Sequence, residues 1–155
     1  MKNIAIIGSG SWGVALAVHL AKVGNNVKIW SFMEEERDII NNEKKCKFLP
    51  GLVLPENIYC STDFEEVIKD TEMILHVTPS KFTRSIFKEY KQYVGKTPVI
   101  ICSKGFEKET LETLDEVILE EMPQARVGVL SGPSHAEEVS QGVPTALVIA
   151  SRHQS

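Results

Sequence analysis

Gly8, Gly10 and Gly13 are spaced as G-x-G-x-x-G, the pattern in this chain that best suits a chemical role. In such a turn the first glycine allows a tight bend, the second lets the backbone approach a pyrophosphate, and the third removes a side chain between helix and strand. The N–H groups that open the following helix would point at the phosphate oxygens. The spacing therefore predicts a turn that holds a dinucleotide, and the alternative is a glycine-rich turn without a ligand.

The residues around these glycines predict a strand, a turn, a helix and a second strand. Residues 4–7 form an apolar run that is too short for a helix, and residues 27–30 form another. The intervening helix has an apolar face formed by Trp12, Leu16, Leu20 and Val23. It also has a stripe of small residues, Gly13, Ala17 and Ala21. Gly24 is placed to end that helix in the left-handed conformation. This order of elements is the context that confirms a dinucleotide-binding motif.

The residues after the second strand, Ser31 to Met33, lie where such proteins hold the adenosine ribose. An NAD enzyme usually has an acid there and an NADP enzyme an arginine, and this chain has neither. Phe32 could stack on an adenine ring or pack in the core under a long loop. The acids 34–36 would repel a 2′-phosphate, which favours NAD slightly over NADP, although they also suit a solvated helix face.

Lys104 follows directly from a predicted strand and precedes Gly105, which suits a tight turn. A cation at a strand end could hold an anionic substrate and polarise a carbonyl as hydride arrives. The alternative is an ordinary surface lysine, and its position in the sequence does not decide between them.

The segment SGPSHAEE, residues 131–138, opens the last predicted helix. Ser134 and Glu137 have the spacing of a capping box. A glycine turn before a helix is also a second anion site, suited to the phosphate of a substrate. His135 could act as a general base, but it has no visible carboxylate partner, so we assign it a structural role.

The rest of the chain alternates between short apolar runs and amphipathic segments. Predicted strands are 58–60, 73–77, 98–102, 126–130 and 145–150, and predicted helices are 34–42, 64–69 after the cap Asp63, 79–93, 110–122 and 133–140. This alternation predicts an α/β fold, a Rossmann-type, doubly wound, mostly parallel sheet with helices on both faces. Ligands bind beyond the carboxyl ends of such strands, at loops 8–12, 31–33, 78–82, 103–106 and 131–135.

Residues 43–57 contain a charge cluster, two prolines and a glycine, and they predict a long excursion loop. A loop of this length in a compact domain is often functional. The alternative is a surface crossover with Phe48, Leu49 and Leu52 tucked against the core.

The composition predicts one soluble domain spanning residues 1–155, with 43% hydrophobic and 25% charged residues. The net charge of −4 gives no electrostatic footprint for nucleic acid, and the apolar runs are too short to span a membrane. The first residues do not form a signal peptide. Three cysteines and four histidines lack ligand spacing, so we expect unpaired thiols in a reducing cytoplasm and no metal.

Five segments of the chain, taken in order, resemble the bacterial-type NAD(P)-dependent glycerol-3-phosphate dehydrogenases. They are GSGSWG, FLPG with LPENI, VTPS, SKGFE and SGPSHAEEV, and together they cover the whole chain. The resemblance implies an oxidoreductase that interconverts sn-glycerol 3-phosphate and dihydroxyacetone phosphate by hydride transfer to or from NAD or NADP. It further implies a cytoplasmic enzyme that supplies phospholipid biosynthesis, and a homodimer is one assembly that a full-length member could form.

The same resemblance assigns residues to the two ligands. Besides Gly8, Gly10 and Gly13, the implied cofactor contacts are Ser11, Trp12, Phe32, Lys104 and Ala136, and the implied substrate contacts are Lys104, Gly132 and Ser134. Bacterial members often carry a basic residue where Phe32 stands. The NAD-using eukaryotic members resemble this chain better at that position, which puts an NADP preference in doubt.

The family's proton-transferring lysine lies in a helical second domain, beyond residue 155. The resemblance therefore predicts the amino-terminal, cofactor-binding half of the enzyme, with no catalytic residue beyond the substrate binding or polarisation by Lys104, and inactive by itself. One alternative is another two-domain β-hydroxyacid-type dehydrogenase, which should lack the pairing of SKGFE with SGPSHAEEV. The other is a standalone dinucleotide-binding or redox-sensing module without catalysis.

Overall fold

Seven strands form a single sheet in the computed structural model, which describes residues 1–153. They are β1 (Asn3–Ile7), β2 (Asn26–Trp30), β3 (Ile58–Ser61), β4 (Met73–His76), β5 (Val99–Ile101), β6 (Val127–Ser131) and β7 (Val148–Ser151). Their order in the sheet is β3-β2-β1-β4-β5-β6-β7. All neighbouring strands are parallel except β6 and β7, which are antiparallel. The predicted fold class is confirmed, and the direction of winding reverses between β1 and β4.

Helices cover both faces of this sheet. They are α1 (Ser11–Lys22), α2 (Glu34–Asp38), α3 (Phe64–Ile68), α4 (Thr83–Val94), α5 (Leu114–Glu121) and α6 (Ala136–Ser140). A π-helical stretch, Ile39–Glu43, extends α2, and a 3₁₀ turn, Ser80–Phe82, precedes α4.

Two hydrophobic clusters, one on each face, hold the helices to the sheet. Successive side chains of β1 point to opposite faces. Ile4 and Ile6 accordingly join the cluster under α1, while Ala5 and Ile7 join the cluster under α3, α4 and α5. Burial on both faces explains why β1 reads as a continuous apolar run in the sequence.

The packing of α1 against β1 depends on glycine at two positions. Gly8 has a φ of 126°, and a Cβ there would lie 2.6 Å from the carbonyl oxygen of Val77. A Cβ on Gly13 would collide with the carbonyl oxygen of Gly8. The roles predicted for these two glycines are confirmed. Gly24, with a φ of 96°, follows the end of α1 as predicted.

The helix predicted from residue 110 begins four residues later, at Leu114. Leu111 has a φ of 61°, which a continuing right-handed helix does not allow. Thr113 caps the helix, and its backbone N–H donates to the carboxylate of Glu116 at 2.9 Å. The Thr-x-x-Glu sequence of residues 113–116 is therefore a capping box, and it marks the start of α5.

The capping box predicted for Ser134 and Glu137 is wrong. The last helix starts at Ala136, not at residue 133, and its N-cap is His135, which makes no side-chain capping hydrogen bond. Because His135 is the extended residue before the helix, Ser134 lies one position too early to cap it. The five-residue length of α6 also weakens the predicted phosphate site, since a helix dipole needs more aligned peptides than one turn supplies.

The excursion loop predicted at 43–57 contains no helix or strand from residue 44 onward, while Glu43 is the last residue of the π-helical stretch. Leu49 is buried and Leu52 is half-buried against the first cluster, which fits a surface crossover. Phe48 differs because it is 45% exposed. The loop therefore combines a segment packed against the core with one aromatic side chain, Phe48, that is exposed to solvent.

Cys46, Cys60 and Cys102 are buried free thiols. Burial raises the pKa of Cys60 and of Cys102 to about 12, so both stay protonated at neutral pH. Within residues 1–153, no three His, Cys, Asp or Glu side chains are grouped to bind a metal ion. None of the helices in that range has both the length and the apolar character needed to cross a membrane.

Candidate functional site

An open cleft of about 800 Å³ lies at the carboxyl ends of the central strands. All five loops predicted from the fold contribute residues to it. Ser85, Ile86 and Glu89 line the cleft although they lie outside the predicted loops and outside the five segments of the resemblance, and Glu36 lies outside them as well. Of the residues assigned by resemblance, only Gly132 does not line the cleft.

The glycine turn forms the floor of the cleft and leaves room for a pyrophosphate. Gly10 is exposed, and an ideal Cβ on it would meet no atom within 4 Å. Its φ of −70° and ψ of −179° are open to any residue, so backbone strain does not explain the glycine. The first turn of α1, which begins at Ser11, contains no acid and no side-chain cap. Its N–H groups and the positive end of the helix dipole are therefore available to an anion.

Trp12 connects the start of α1 to the end of β5. Its indole Nε1–H donates to the carbonyl oxygen of Cys102 at 3.2 Å. Cys102 lies two residues before Lys104, so this hydrogen bond fixes the distance between the glycine turn and the loop that carries the lysine.

Phe32 extends from the end of β2 and is 80% exposed. Its ring makes an edge contact with Trp30 at a centroid distance of 6.5 Å. Trp30 is itself stacked on Phe64 at 4.2 Å, so the base of this aromatic group is rigid. The alternative that Phe32 packs in the core is wrong, and its ring offers an open face to the cleft.

Glu36 differs from the two acids before it. Glu34 and Glu35 are exposed to solvent, as expected of a solvated helix face, but Glu36 is half-buried and lines the cleft. Its carboxylate accepts hydrogen bonds from the hydroxyls of Ser9 and Ser31. The buried Ile40 one turn later lies on the same side of the helix. This periodicity was the signal that could have placed Glu36 on the inner face.

Lys104 and Ser134 come together on the opposite side of the cleft. The Lys104 ammonium donates to the carbonyl oxygen of Ser134 at 3.4 Å, and the lysine is exposed. Gly105 has a φ of 111° and takes the turn, as predicted. Two of the three substrate residues implied by resemblance are thus neighbours, and Ala136, assigned to the cofactor, lines the cleft beside them.

Gly132 has a different role in the structure. A Cβ at this position would lie 2.7 Å from the carbonyl oxygen of Ala146 and 3.1 Å from the side chain of Leu147. The glycine therefore permits the loop to pack against residues 146–147. It does not line the cleft, and its contact with substrate stays a prediction.

His135 lines the cleft with an exposed side chain. That side chain makes no hydrogen bond to any residue in the range 1–153, so the structural role expected for it is limited to its backbone position before α6.

Arg84 anchors the loop behind Lys104. Its guanidinium lies 2.8 to 3.1 Å from the carboxylates of Glu107, Glu112, Glu120 and Glu121. Hydrogen bonds from Arg84 lower the pKa of Glu107, which is only 8% exposed. This network ties the SKGFE loop to α4 and α5.

His76 is fully buried at the end of β4, directly behind the cleft. Its Nδ1 lies 2.8 Å from the Tyr90 hydroxyl, and its Nε2 lies 2.8 Å from the hydroxyl of Thr78, which lines the cleft. Burial lowers the pKa of His76 to about 4. The imidazole is therefore neutral at pH 7 and holds Thr78 in place.

The model of one protein family, described as the NAD-dependent glycerol-3-phosphate dehydrogenase N-terminus, matches residues 3–155. The chain belongs to this family. Among its relatives, the glycerol-3-phosphate dehydrogenase [NAD(P)+] of Agathobacter rectalis is 42% identical over 156 residues, covering 99% of this chain and 46% of that protein. The corresponding protein of Fusobacterium nucleatum is 40% identical, with 99% and 47% covered.

Solved structures of the family have the same architecture. The glycerol-3-phosphate dehydrogenase of Coxiella burnetii superposes with a TM-score of 0.92 at 33% identity, covering 98% of this chain and 47% of that chain. The enzyme of Saccharomyces cerevisiae gives a TM-score of 0.87 at 30% identity, with 99% and 48% covered.

The chain spans about half the length of the curated family members it matches. Family membership removes support from the other β-hydroxyacid-type dehydrogenases, and a standalone module without catalysis is not favoured.

Proposed function

We propose that this chain is the cofactor-binding half of an NAD(P)-dependent glycerol-3-phosphate dehydrogenase. The full enzyme would interconvert sn-glycerol 3-phosphate and dihydroxyacetone phosphate by hydride transfer. The observation that carries this proposal is the convergence on one cleft of the glycine turn, the exposed Phe32 ring and the Lys104–Ser134 pair. The family relationship supplies the reaction class.

The residues of the cleft fit a dinucleotide along its length. The N–H groups at the start of α1 would hold the pyrophosphate above Gly10, where no side chain intervenes. Phe32 would lie against the adenine, because every base offers a face on which an aromatic ring can stack. Ser11, Trp12 and Ala136 would border the remaining path towards Lys104.

A bound nicotinamide supplies the hydride, while the protein binds, orients and polarises. Lys104 would act on the substrate, since its ammonium is the cation at the end of β5 that faces the cleft. At that position it can hold a phosphate or stabilise the charge that develops on a carbonyl oxygen. Ser134 lies within reach of the same group, and the proposal includes it as a substrate contact.

The proposal assigns proton transfer to no residue of this chain. Lys104 is assigned to substrate charge, and His76 is buried and neutral behind the cleft. The proposal therefore places the proton-transferring lysine in a helical second domain of the full-length enzyme. That domain would also close over the substrate and exclude water.

The proposal includes a cytoplasmic location, a role in supplying phospholipid biosynthesis and a homodimer of the full-length enzyme. The three buried free thiols support a reducing compartment, because unpaired cysteines are typical of such proteins.

The test is to measure binding and turnover separately. The 155-residue chain should quench or shift NADH fluorescence on binding but should not reduce dihydroxyacetone phosphate. A positioned acid or base contributes about 10²–10⁴-fold to a proton-transfer step, and the proposal places that group in the second domain. A full-length protein carrying this sequence as its amino-terminal half should show activity.

Two outcomes contradict the proposal. If the chain binds neither NADH nor NADPH, the proposed cofactor-binding function is wrong. Robust turnover by the chain alone, abolished by His135→Ala, would show that the histidine is catalytic and that no second domain is required.

A further inference from the structure

The carboxylate of Glu36 occupies a defined position between two parts of the cleft. Ser9, which donates to it, lies inside the glycine turn between Gly8 and Gly10. Ser31, which also donates to it at 3.1 Å, lies next to Phe32 at the end of β2. Glu36 is therefore held between the surface suited to a pyrophosphate and the ring suited to an adenine.

The hydrogen bonds of Glu36 leave part of its carboxylate unused. Both serine hydroxyls donate to the same oxygen, Oε2. Within residues 1–153, Oε1 has no hydrogen-bond partner and the carboxylate has no ion-pair partner. Since a carboxylate offers about four acceptor positions, Glu36 can accept further hydrogen bonds from a ligand in the cleft.

Among the described residues, no lysine or arginine forms an ion pair with Glu36, although Lys47 lines a small pocket next to it. The nearest base in the sequence, Arg37, is paired with Asp38 at 3.0 Å and with Glu34 at 3.8 Å, and it does not line the cleft. Lys104 is the one lysine or arginine among the described residues that line the cleft, and it is engaged with Ser134. An anionic group beside Glu36 would meet an uncompensated negative charge.

The adenosine ribose joins the adenine to the pyrophosphate, so a dinucleotide bound as proposed must place its ribose beside Glu36. A free ribose carries vicinal 2′ and 3′ hydroxyls that can donate to a carboxylate. A 2′-phosphate is mostly dianionic at neutral pH, so it offers the carboxylate no hydrogen-bond donor and would be repelled. The carboxylate therefore discriminates between the two nicotinamide cofactors by attraction to one and repulsion of the other.

We propose that Glu36 is the specificity-determining residue of the cleft, accepting a hydrogen bond from the adenosine ribose and selecting NAD(H) over NADP(H). Ser9 and Ser31 are positioning residues, because they hold Oε2 and leave Oε1 without a hydrogen-bond partner among the described residues. This inference rests on the proposed function and adds the cofactor preference to it.

The experiment compares Glu36→Gln with Glu35→Gln in the same chain. Both substitutions remove one negative charge from α2, but Glu35 is exposed and does not line the cleft. Dissociation constants for NADH and NADPH are measured by fluorescence titration at low and at high salt. A hydrogen bond to a charged group corresponds to roughly a tenfold change or more in affinity. Glu36→Gln should therefore lower the NADPH-to-NADH ratio of dissociation constants by about tenfold, and Glu35→Gln should change it by less than about twofold.

A second measurement uses the unaltered chain, so it does not require that a variant folds. The unaltered chain should bind NADH at least about tenfold more tightly than NADPH, and this preference should narrow at high salt as the repulsion is screened.

The outcomes separate the two proposals. Binding of both cofactors with equal affinity by the unaltered chain, or equal shifts in the two variants, would overturn the role of Glu36 and leave the proposed function standing. Absence of binding for both cofactors would overturn both.

Discussion

At the scale of single residues, the shape of the cleft depends on glycines that have no side chain. Gly10 lies in a backbone conformation that any residue can adopt, and the space beside it is open. By contrast, Gly8 and Gly13 are required by contacts within the fold. Two glycines of the motif are thus required by the fold, and only Gly10 is assigned by the proposal to the ligand alone.

We expect Gly10→Val to abolish dinucleotide binding while the chain stays folded. The branched side chain would occupy the volume proposed for the pyrophosphate, and NADH affinity should fall by about 100-fold or more, equivalent to about 2.7 kcal/mol. The thermal midpoint should change by only a few degrees, because the backbone at this position is unstrained. NADH titration and circular dichroism measure the two effects.

Gly10→Ala is the matched control for this substitution. Its single methyl group should weaken binding less than valine does and should leave stability unchanged. A folded Gly10→Val chain that binds NADH like the parent would show that the ligand does not pass over this turn.

At the scale of elements, the SKGFE loop depends on α4 and α5 for its position. Arg84 on α4 neutralises carboxylates from the loop and from α5, and Glu107 among them is nearly inaccessible to solvent. The capping box of Thr113 and Glu116 fixes where α5 begins. The loop carrying Lys104 is therefore held by helices whose own sequences contain no functional motif.

We expect Arg84→Met to lower the free energy of unfolding by about 2–3 kcal/mol, because it leaves the buried carboxylate of Glu107 without its partner. Lys88→Met, one turn further along α4, removes the same charge from a side chain that is 55% exposed. That control should change stability by less than about 0.5 kcal/mol. Urea unfolding of the three proteins measures the difference, and equal stability of all three would contradict the role of the network.

The effect of Arg84 should also depend on pH. Arg84 holds the pKa of Glu107 below its ordinary value of 4.5, so the pair stabilises the fold above that pH. The contribution is lost as the pH falls through the lowered pKa of Glu107. The stability difference between the parent and Arg84→Met should accordingly be present at pH 7 and diminish below about pH 4.

At the scale of the whole molecule, one buried histidine links the core to the cleft. His76 lies inside the second cluster, hydrogen-bonded to Tyr90 on α4 and to Thr78 at the cleft. Its imidazole stacks against the Tyr90 ring at 5.8 Å. Protonation of this group would place a charge in the interior, so its state affects global stability.

We expect the free energy of unfolding to fall as the pH is lowered from about 6.5 towards 4. The unfolded chain takes up a proton at the ordinary histidine pKa of about 6.5, whereas folded His76 resists protonation until about pH 4. The stability present above pH 6.5 is therefore lost progressively in this window, by about 3 kcal/mol at most.

Urea unfolding at pH 8, 6 and 5 measures this dependence. His76→Gln should flatten the slope between pH 7 and 5, while His19→Gln, which replaces an exposed histidine, should retain it. An unchanged slope in His76→Gln would assign the acid sensitivity to other groups.

The sequence alone determined the sheet, the winding and the glycine turn, because these depend on neighbours along the chain. Apolar runs of strand length, the small residues of α1 and the stop at Gly24 all act over a few positions, where steric and hydrogen-bonding rules are local. The positions of the ligand-binding loops could be predicted from this fold, since parallel strands present their carboxyl ends at one edge of the sheet.

Only the tertiary structure decided which residues of those loops face the cleft. The spacing of Glu36 and the apolar Ile40 could set Glu36 apart from Glu34 and Glu35, but only the tertiary structure places Ser9, distant in the chain, beside its carboxylate. Gly132 packs against residues 146–147 and does not line the cleft, and Ser134 does not cap α6 because the N-cap is His135. These outcomes depend on contacts between segments that are far apart in the chain, and no local pattern specifies such contacts.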